Sequence, residues 1–303
     1  MEKKPLIILT GPTAVGKSAL SIQLAKRING EIISADSMQV YKGMDIGTAK
    51  ITSSEMEGIK HHLIDILDPI DEFNVVLFQQ LGLSAINDIY SRNKVPIIVG
   101  GTGFYIQALL YNITFEDNEG DNSYRKELEE LTQEKGPQYL HDLLKSIDSI
   151  SAKEIHPNNV KRVIRALEYF HLTNKPISAH NQEERQKNSP YNFAYFVLTD
   201  DRKLIYDRIN KRVDLMLEQG LIEEVEALKT LGCTQAMVSM QGIGYKEIFD
   251  YLSGEVSLED TTFLLKRDTR HFAKRQLTWF NREKEVTWLD RSVLGTRNKQ
   301  MKV

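Results

Sequence analysis

The segment Gly11-Pro12-Thr13-Ala14-Val15-Gly16-Lys17-Ser18 fits the spacing G-x-x-x-x-G-K-[ST] and sits between the aliphatic run Leu6-Ile7-Ile8-Leu9 and a stretch, Ser18 to Ile28, with helical spacing of Leu20, Leu24 and Ile28. A strand, a glycine loop and a helix in that order let backbone N–H groups turn inward around phosphate oxygens, and the helix start adds positive potential. Lys17 brings a point charge and Ser18 a hydroxyl that can reach Mg2+. Further short strands are predicted at Glu31–Ser34, His62–Ile66 and Val95–Val99, the last mostly uninterrupted and therefore central. Helical segments separate several of them. The fold class that follows is α/β, a phosphate-loop core on a parallel sheet covered on both faces.

The chain has 303 residues, 41% of them hydrophobic and 27% charged, enough apolar content for one large or two modest globular domains. A formal charge of −3 leaves no global polycation, so a nucleic-acid partner would have to be held by a local basic surface. Cys233 is the one cysteine; it excludes an internal disulfide and a cysteine-rich zinc site, and suits a reducing compartment. No apolar run approaches the ~20 residues that span a bilayer, so the expectation is a cytosolic protein with no membrane contact. From about Glu116 the texture changes to the acidic, turn-rich Glu116–Asn122, and charged helical patterns continue to about Lys187. A strand then returns at Phe193–Leu198, and Val286–Leu289 reads as a final edge strand. The expected organisation is a core of residues 1–115 and 190–303, with an all-helical insertion at 116–189.

In an open parallel sheet ligands collect at the carboxyl ends of strands, which brings Ser34–Gln39 and Gly100–Tyr105 beside the phosphate loop. Asp36 would put a carboxylate close to phosphates that repel it. That placement suits metal binding or proton abstraction, the plainer reading being a helix N-cap. Gly100, Gly101 and Gly103 permit close backbone approach, and Thr102 offers a hydroxyl. Nucleotide hydrolases and kinases usually add an acidic residue at the end of another strand, yet Val95 to Gly101 ends in glycines. Asp65 is a possible substitute or a surface cap. The loop therefore suits a pyrophosphate ester attacked at carbon, with a small-molecule or nucleoside kinase as the alternative. His61 and His62 resemble a metal pair, but neighbours on a strand face opposite ways. Lys161-Arg162 with Arg165, and Lys266-Arg267, Arg270 and Lys274-Arg275, form basic helical faces, solvated or RNA-binding, with Phe272, Trp279 and Phe280 interleaved.

Taken in order, several blocks resemble the tRNA dimethylallyltransferases, also called tRNA isopentenyltransferases. They are residues 11–18, Ser34–Tyr41 with Asp45–Lys50, His61–Asp65, Gly100–Tyr105, Asn159–Glu168, Gln241–Tyr245 and Lys274–Phe280. The resemblance implies transfer of a dimethylallyl group from dimethylallyl pyrophosphate to the exocyclic amine of adenosine 37, just 3′ of a tRNA anticodon. It implies donor binding by Thr13, Ala14, Val15, Gly16, Lys17 and Ser18, with Arg162 or Arg165 facing the pyrophosphate or RNA and Mg2+ at Ser18. Asp36 is then the general base, acting with Lys17 and Thr102. The tRNA anticodon stem-loop would meet Asp36, Ser37, Met38, Gln39, Thr102, Arg125, Lys161, Arg162, Arg165, Gln241, Gly242, Gly244, Tyr245, Lys274, Arg275, Gln276 and Trp279. The chain looks like the short bacterial form, a monomer with no obligate protein partner and without the zinc-finger module of eukaryotic relatives. One departure is Lys60, where the family usually carries proline before the paired histidines.

Overall fold

A computed structural model describes residues 3–115 and 123–293. The chain runs β1 (Pro5–Thr10), α1 (Lys17–Ile28), β2 (Gly30–Ala35), β3 (His61–His62), α2 (Val75–Ser91), β4 (Val95–Gly100) and α3 (Gly103–Leu110). It continues through α4 (Ser123–Lys135), α5 (Pro137–Ile147), α6 (Ser149–Glu154), α7 (Val160–Thr173) and α8 (Ile177–Arg185). It closes with β5 (Asn192–Thr199), α9 (Arg202–Glu218), α10 (Leu221–Thr230), α11 (Tyr245–Leu252), α12 (Leu258–Phe280) and β6 (Val286–Asp290).

The strands form one sheet in the order β3-β2-β4-β1-β5-β6, every pair parallel. Parallel neighbours need crossovers, and helices on the two faces supply them. Alternation along each strand divides the core. Ile8, Ile33, Ile98, Tyr195 and Val197 enter one cluster, which also takes residues from α2, α3, α10, α11 and α12. Leu9, Ile32, Ile97, Val99 and Leu198 enter the other, with Ile22 and Ala25 of α1. All six residues of β2 are buried, the polar Glu31 and Ser34 among them. Val95–Val99 lies in the interior between β2 and β1, and Val286–Leu289 belongs to the parallel edge strand β6. The third strand is shorter than predicted. It holds only His61 and His62, because Leu63 and Asp65 take left-handed backbone conformations with φ of 64° and 54°, which end the extended run.

The described residues divide into two compact units, one reaching Asn112 and resuming at Pro190, the other Ile113–Ser189. The acidic stretch Glu116–Asn122 lies outside the described residues. The second unit has its own core of Leu128, Leu140, Leu144, Val163, Ile164 and Leu167, drawn from α4, α5 and α7. Asp148 ties α6 and α8 together by accepting the backbone N–H groups of Ser151 and Ser178, both at 2.9 Å. Arg125 on α4 clamps the buried Glu168 of α7 through Nε at 2.8 Å and Nη2 at 2.7 Å, a fork that matches the carboxylate edge.

The first unit contains one buried carboxylate in the sheet. Glu31, 1% exposed on β2, meets Arg92, Lys94 (2.9 Å) and His62 (Nε2 at 2.8 Å). Burial alone would raise its pKa, but the hydrogen bonds from Arg92, Lys94 and His62 prevail and bring it to about 2. Its contribution to stability is therefore complete above the ordinary carboxylate range and lost as pH falls toward about 2. Glu31→Gln is expected to lower stability at neutral pH by about 2 kcal/mol, less than for a fully buried pair because Arg92 and Lys94 are partly exposed. It should also flatten the acid limb, and urea unfolding as a function of pH measures both effects.

Candidate active site

The phosphate loop joins β1 to α1 through Gly16, whose φ of 93° leaves room for no ordinary side chain. Lys17 folds back over this loop, its Nζ donating to Gly11 O and Pro12 O at 2.9 Å each. Burial pushes the Lys17 ammonium down to about 8, Asp36 opposing the shift and the Arg212 charge adding to it. Ser18, in the first turn of α1, is exposed, and no acidic residue occupies that turn. The remaining residues of the loop are held from outside. Ala14 packs against Ile205 and Ile209 of α9 and Ala273 of α12. Thr13 gives its backbone N–H to Gln276 Oε1 at 2.9 Å and accepts Arg212 Nη1 on its hydroxyl at 3.3 Å. Val15 is buried, and its carbonyl accepts from Arg291 Nη1.

Arg212 and Arg291 were not legible as site residues. Arg212 is one of five basic residues on α9, and only packing shows which of them turns to the loop. Arg291 follows the edge strand, whose parallel direction was the signal that its carboxyl end reaches the same side of the sheet as the phosphate loop.

Asp36 and Thr102 are brought together by sheet register. Ala35 pairs with Gly100, and the Thr102 N–H donates to Ala35 O at 3.2 Å. The approach is close enough that a Cβ on Gly100 would lie 2.2 Å from that same oxygen. Asp36 Oδ1 accepts the N–H groups of Met38 at 2.9 Å and Gln39 at 3.3 Å. A turn rather than a helix follows, so the expected helix cap is a turn cap, and it engages only one carboxylate oxygen. Oδ2 has no protein partner, and the hydroxyls of Thr102 and Ser18 are likewise uncommitted among the described residues. The Ser18 hydroxyl at the start of α1, beside the phosphate loop, is a hard oxygen donor that suits a hard cation completed by phosphate oxygens and water. No group of three or more His, Cys, Asp and Glu is placed to hold a metal among the described residues.

Several residues expected at the RNA contact hydrogen-bond to backbone groups of the protein. Gln39 donates from Nε2 to Thr48 O (3.3 Å) and accepts from Ser34 Oγ (3.4 Å), tethering the loop that follows. Tyr245 is fully buried and gives its hydroxyl to Glu224 Oε1 at 2.7 Å; burial and that carboxylate push the phenol far upward. Glu224 also accepts the N–H groups of Asp45, Ile46 and Gly47 at 2.9, 2.7 and 3.1 Å. Gln276 is 6% exposed. Ser37 and Met38 are half-buried, and Gly242 lies against Met38, its absent Cβ leaving room for the sulfur. Gly244 opens α11 with φ of 106°. Gln241 is exposed and its amide caps Gln235 O.

The proposed metal substitute and histidine pair are otherwise employed. Asp65 pairs at 2.5 Å with Lys50, whose buried ammonium also meets Asp45 and the Tyr41 carbonyl, both at 2.6 Å. His61 Nδ1 lies 2.8 Å from Ile59 O, while His62 joins Glu31.

The exposed face of α12 carries Lys274 and Arg275, the latter stacked at 5.8 Å over Phe272. With His271, Thr278, Trp279 and Arg282 they line a cationic groove of about 390 Å³, and Trp279 meets Phe104 edge-on at 6.3 Å. In the second unit Lys161 and Arg162 are exposed at the start of α7 and Arg165 is half-buried one turn on. Arg125, as above, is forked onto Glu168.

Residues 39–283 match the family model described as IPP transferase. A tRNA dimethylallyltransferase from Lachnoclostridium phytofermentans is 64% identical over 288 residues, 95% of this chain and 92% of that protein. The crystal structure of a full-length tRNA isopentenylpyrophosphate transferase from Bacillus halodurans is 50% identical, with a TM-score of 0.71 over 95% of this chain and 90% of its own. A eukaryotic dimethylallyltransferase acting on tRNA is 33% identical, with a TM-score of 0.82 over 95% of this chain and 74% of its own. With a phosphate loop beside an uncommitted carboxylate oxygen, and with these likenesses over nearly its whole length, the chain belongs to the IPP transferase family.

Proposed function

We propose that the chain transfers a dimethylallyl group from dimethylallyl pyrophosphate to the exocyclic amine of adenosine 37, 3′ of a tRNA anticodon, in the cytoplasm. The observation that carries this reading is the pairing of a phosphate cradle with Asp36, which keeps one oxygen uncommitted at the adjoining strand end. Beside it, β4 ends in Gly100 with no acid to organise phosphoryl transfer. The similarity to proteins named for prenyl transfer to tRNA supports carbon rather than phosphorus as the electrophile, against the kinase alternative.

In this reading the pyrophosphate rests on the N–H groups of residues 14–18, while the Thr13 N–H stays on Gln276. The carbon–oxygen bond of the donor breaks with its electron pair leaving on pyrophosphate. Lys17, freed from the Gly11 and Pro12 carbonyls, and Arg212 meet charge that grows as the bond lengthens, so they stabilise the transition state more than the bound donor. Mg2+, held by the Ser18 hydroxyl together with pyrophosphate oxygens, would add further charge neutralisation to the leaving group. The adenine amine is a weak nucleophile because its lone pair is delocalised. As nitrogen bonds carbon, Asp36 Oδ2 takes the amine proton while Oδ1 stays fixed by Met38 and Gln39, and Thr102 steadies the acceptor. An adenosine flipped from a single-stranded loop reaches such a crevice at least cost. Lys274, Arg275 and Trp279 along the α12 groove, and separately Lys161, Arg162 and Arg165 on α7, each supply a local positive patch of the kind that RNA requires of an acidic chain.

Incubation with dimethylallyl pyrophosphate, Mg2+ and tRNA, followed by nucleoside mass analysis, should show one C5H8 unit added to adenosine 37. Phosphate transfer from ATP to a small acceptor, with no prenylated adenosine, would select a kinase. Asp36→Asn should lower the single-turnover rate ~100-fold or more while stem-loop affinity changes little. Equal turnover would remove Asp36 as the base.

The Lys17 value sets a pH dependence. Below about 8 the buried lysine is charged at a cost to folding, and above it the free protein loses that charge. Bound pyrophosphate restores it, so at about pH 9 binding should take up a proton, and affinity should weaken as pH rises. Calorimetry of inorganic pyrophosphate in two buffers of different ionisation heat measures the uptake. Lys17→Met should remove the lysine's share, which separates it from the protons of pyrophosphate itself.

A further inference from the structure

Gln276 stands apart from the basic residues that precede it on α12. Lys274 and Arg275 are exposed, whereas the Gln276 amide turns inward, 6% exposed. Both ends of that amide are used. Nε2 donates to Gly101 O at 3.1 Å, and Oε1 accepts the Thr13 N–H at 2.9 Å. One side chain thus bridges the phosphate loop and the loop that carries Thr102. The site is shaped to admit it, since a Cβ on Gly101 would stand 2.0 Å from Nε2. A donor at one end and an acceptor at the other are both required, so neither Leu nor Glu can replace the amide.

We propose that Gln276 is a positioning residue that couples RNA binding on α12 to the conformation of the phosphate loop, so that each substrate tightens the binding of the other. The proposal rests on the prenyl-transfer reading above and takes Gln276 from the RNA surface to the interior. The physical basis is short and continuous. RNA phosphates held by Lys274 and Arg275 fix the helix turn on which Gln276 sits. The amide then fixes Thr13 from its N–H side while Arg212 holds the Thr13 hydroxyl at 3.3 Å. Its other end anchors Gly101, next to Thr102, so the two loops that must meet donor and acceptor respond to one displacement. A donor that orders the phosphate loop passes the same free energy back to the helix, because coupling between binding sites is reciprocal.

The test uses the full chain, inorganic pyrophosphate with Mg2+, and an anticodon stem-loop RNA containing adenosine 37. Calorimetry gives pyrophosphate affinity with and without saturating stem-loop, and stem-loop affinity alone. In the unaltered protein the stem-loop should tighten pyrophosphate at least ~5-fold. In Gln276→Leu the stem-loop alone should bind within about twofold of the unaltered protein. Pyrophosphate should weaken roughly tenfold, and the factor between the two conditions should fall to about one, because the Thr13 N–H and the Gly101 carbonyl lose their partner. If the leucine variant does not fold, Gln276→Glu, which keeps the size and the acceptor but lacks the donor to Gly101, is held to the same criterion. Undiminished coupling in the variant would overturn the proposal. So would a tenfold loss of stem-loop affinity without pyrophosphate, which would make Gln276 an RNA contact. Absence of coupling in an unaltered protein that still prenylates tRNA sinks this proposal alone. Absence of any prenylated nucleoside sinks the functional reading and this inference with it.

Discussion

The chemistry depends on β1 lying between β4 and β5, and β4 between β1 and β2, all in parallel register. That order puts the carboxyl ends of β1, β2 and β4 on one edge, where the phosphate loop, Asp36 and Thr102 emerge within a few residues of each other. Glycine at position 100 keeps them close, because any side chain there would collide with the Ala35 backbone. Opposed charges then share one crevice. Asp36 works to keep Lys17 protonated, while burial and Arg212 work against it. Ligand-free, the lysine satisfies itself on loop carbonyls, which is the least costly arrangement for a partly buried ammonium without an anion.

The polar residues around this edge fall into two kinds. Ser18, Thr102 and one oxygen of Asp36 are uncommitted, and Lys17 rests on loop carbonyls that an anion could replace. Gln39, Lys50, Glu224, Tyr245 and Gln276 spend their polar atoms on backbone groups or on one another. The second kind solves a constraint that the first creates. Loops rich in glycine and left-handed turns leave N–H and C=O groups that neither strands nor helices satisfy, and those groups are costly to bury unpaired. Glu224 is the fullest case, since one carboxylate accepts three consecutive backbone N–H groups and a buried tyrosine hydroxyl. The result is a rigid surround in which the uncommitted groups keep fixed directions, as catalysis by preorganised charge demands.

The strands of the parallel sheet were largely legible from apolar runs and glycine loops, whereas their order in the sheet was not. The extent of the third strand was not legible either, because Leu63, which takes a left-handed conformation, reads as an ordinary strand residue in a His-His-Leu-Ile run. Motif strings likewise mark where chemistry gathers without distinguishing groups that touch a ligand from groups that hold the loop. Gln276 and Tyr245 sit in blocks that also hold exposed residues, and only their burial separates them from Lys274 or Gln241. Asp65 was a reasonable acidic candidate until Lys50, fifteen residues earlier, proved to neutralise it.

What the sequence determines by itself is local: a phosphate loop between strand and helix, glycines where backbones must approach, an aspartate at the end of a short strand, and basic stretches at helical spacing. These follow from conformational preference and charge, properties that neighbouring residues carry with them. Which side chains remain free was decided only by the tertiary structure. A hydrogen bond such as Thr13 to Gln276 joins positions 263 residues apart, and no local pattern records it. The same holds for Arg212 and Arg291, whose reach to the phosphate loop exists only once the parallel sheet has placed α9 and the end of β6 beside it.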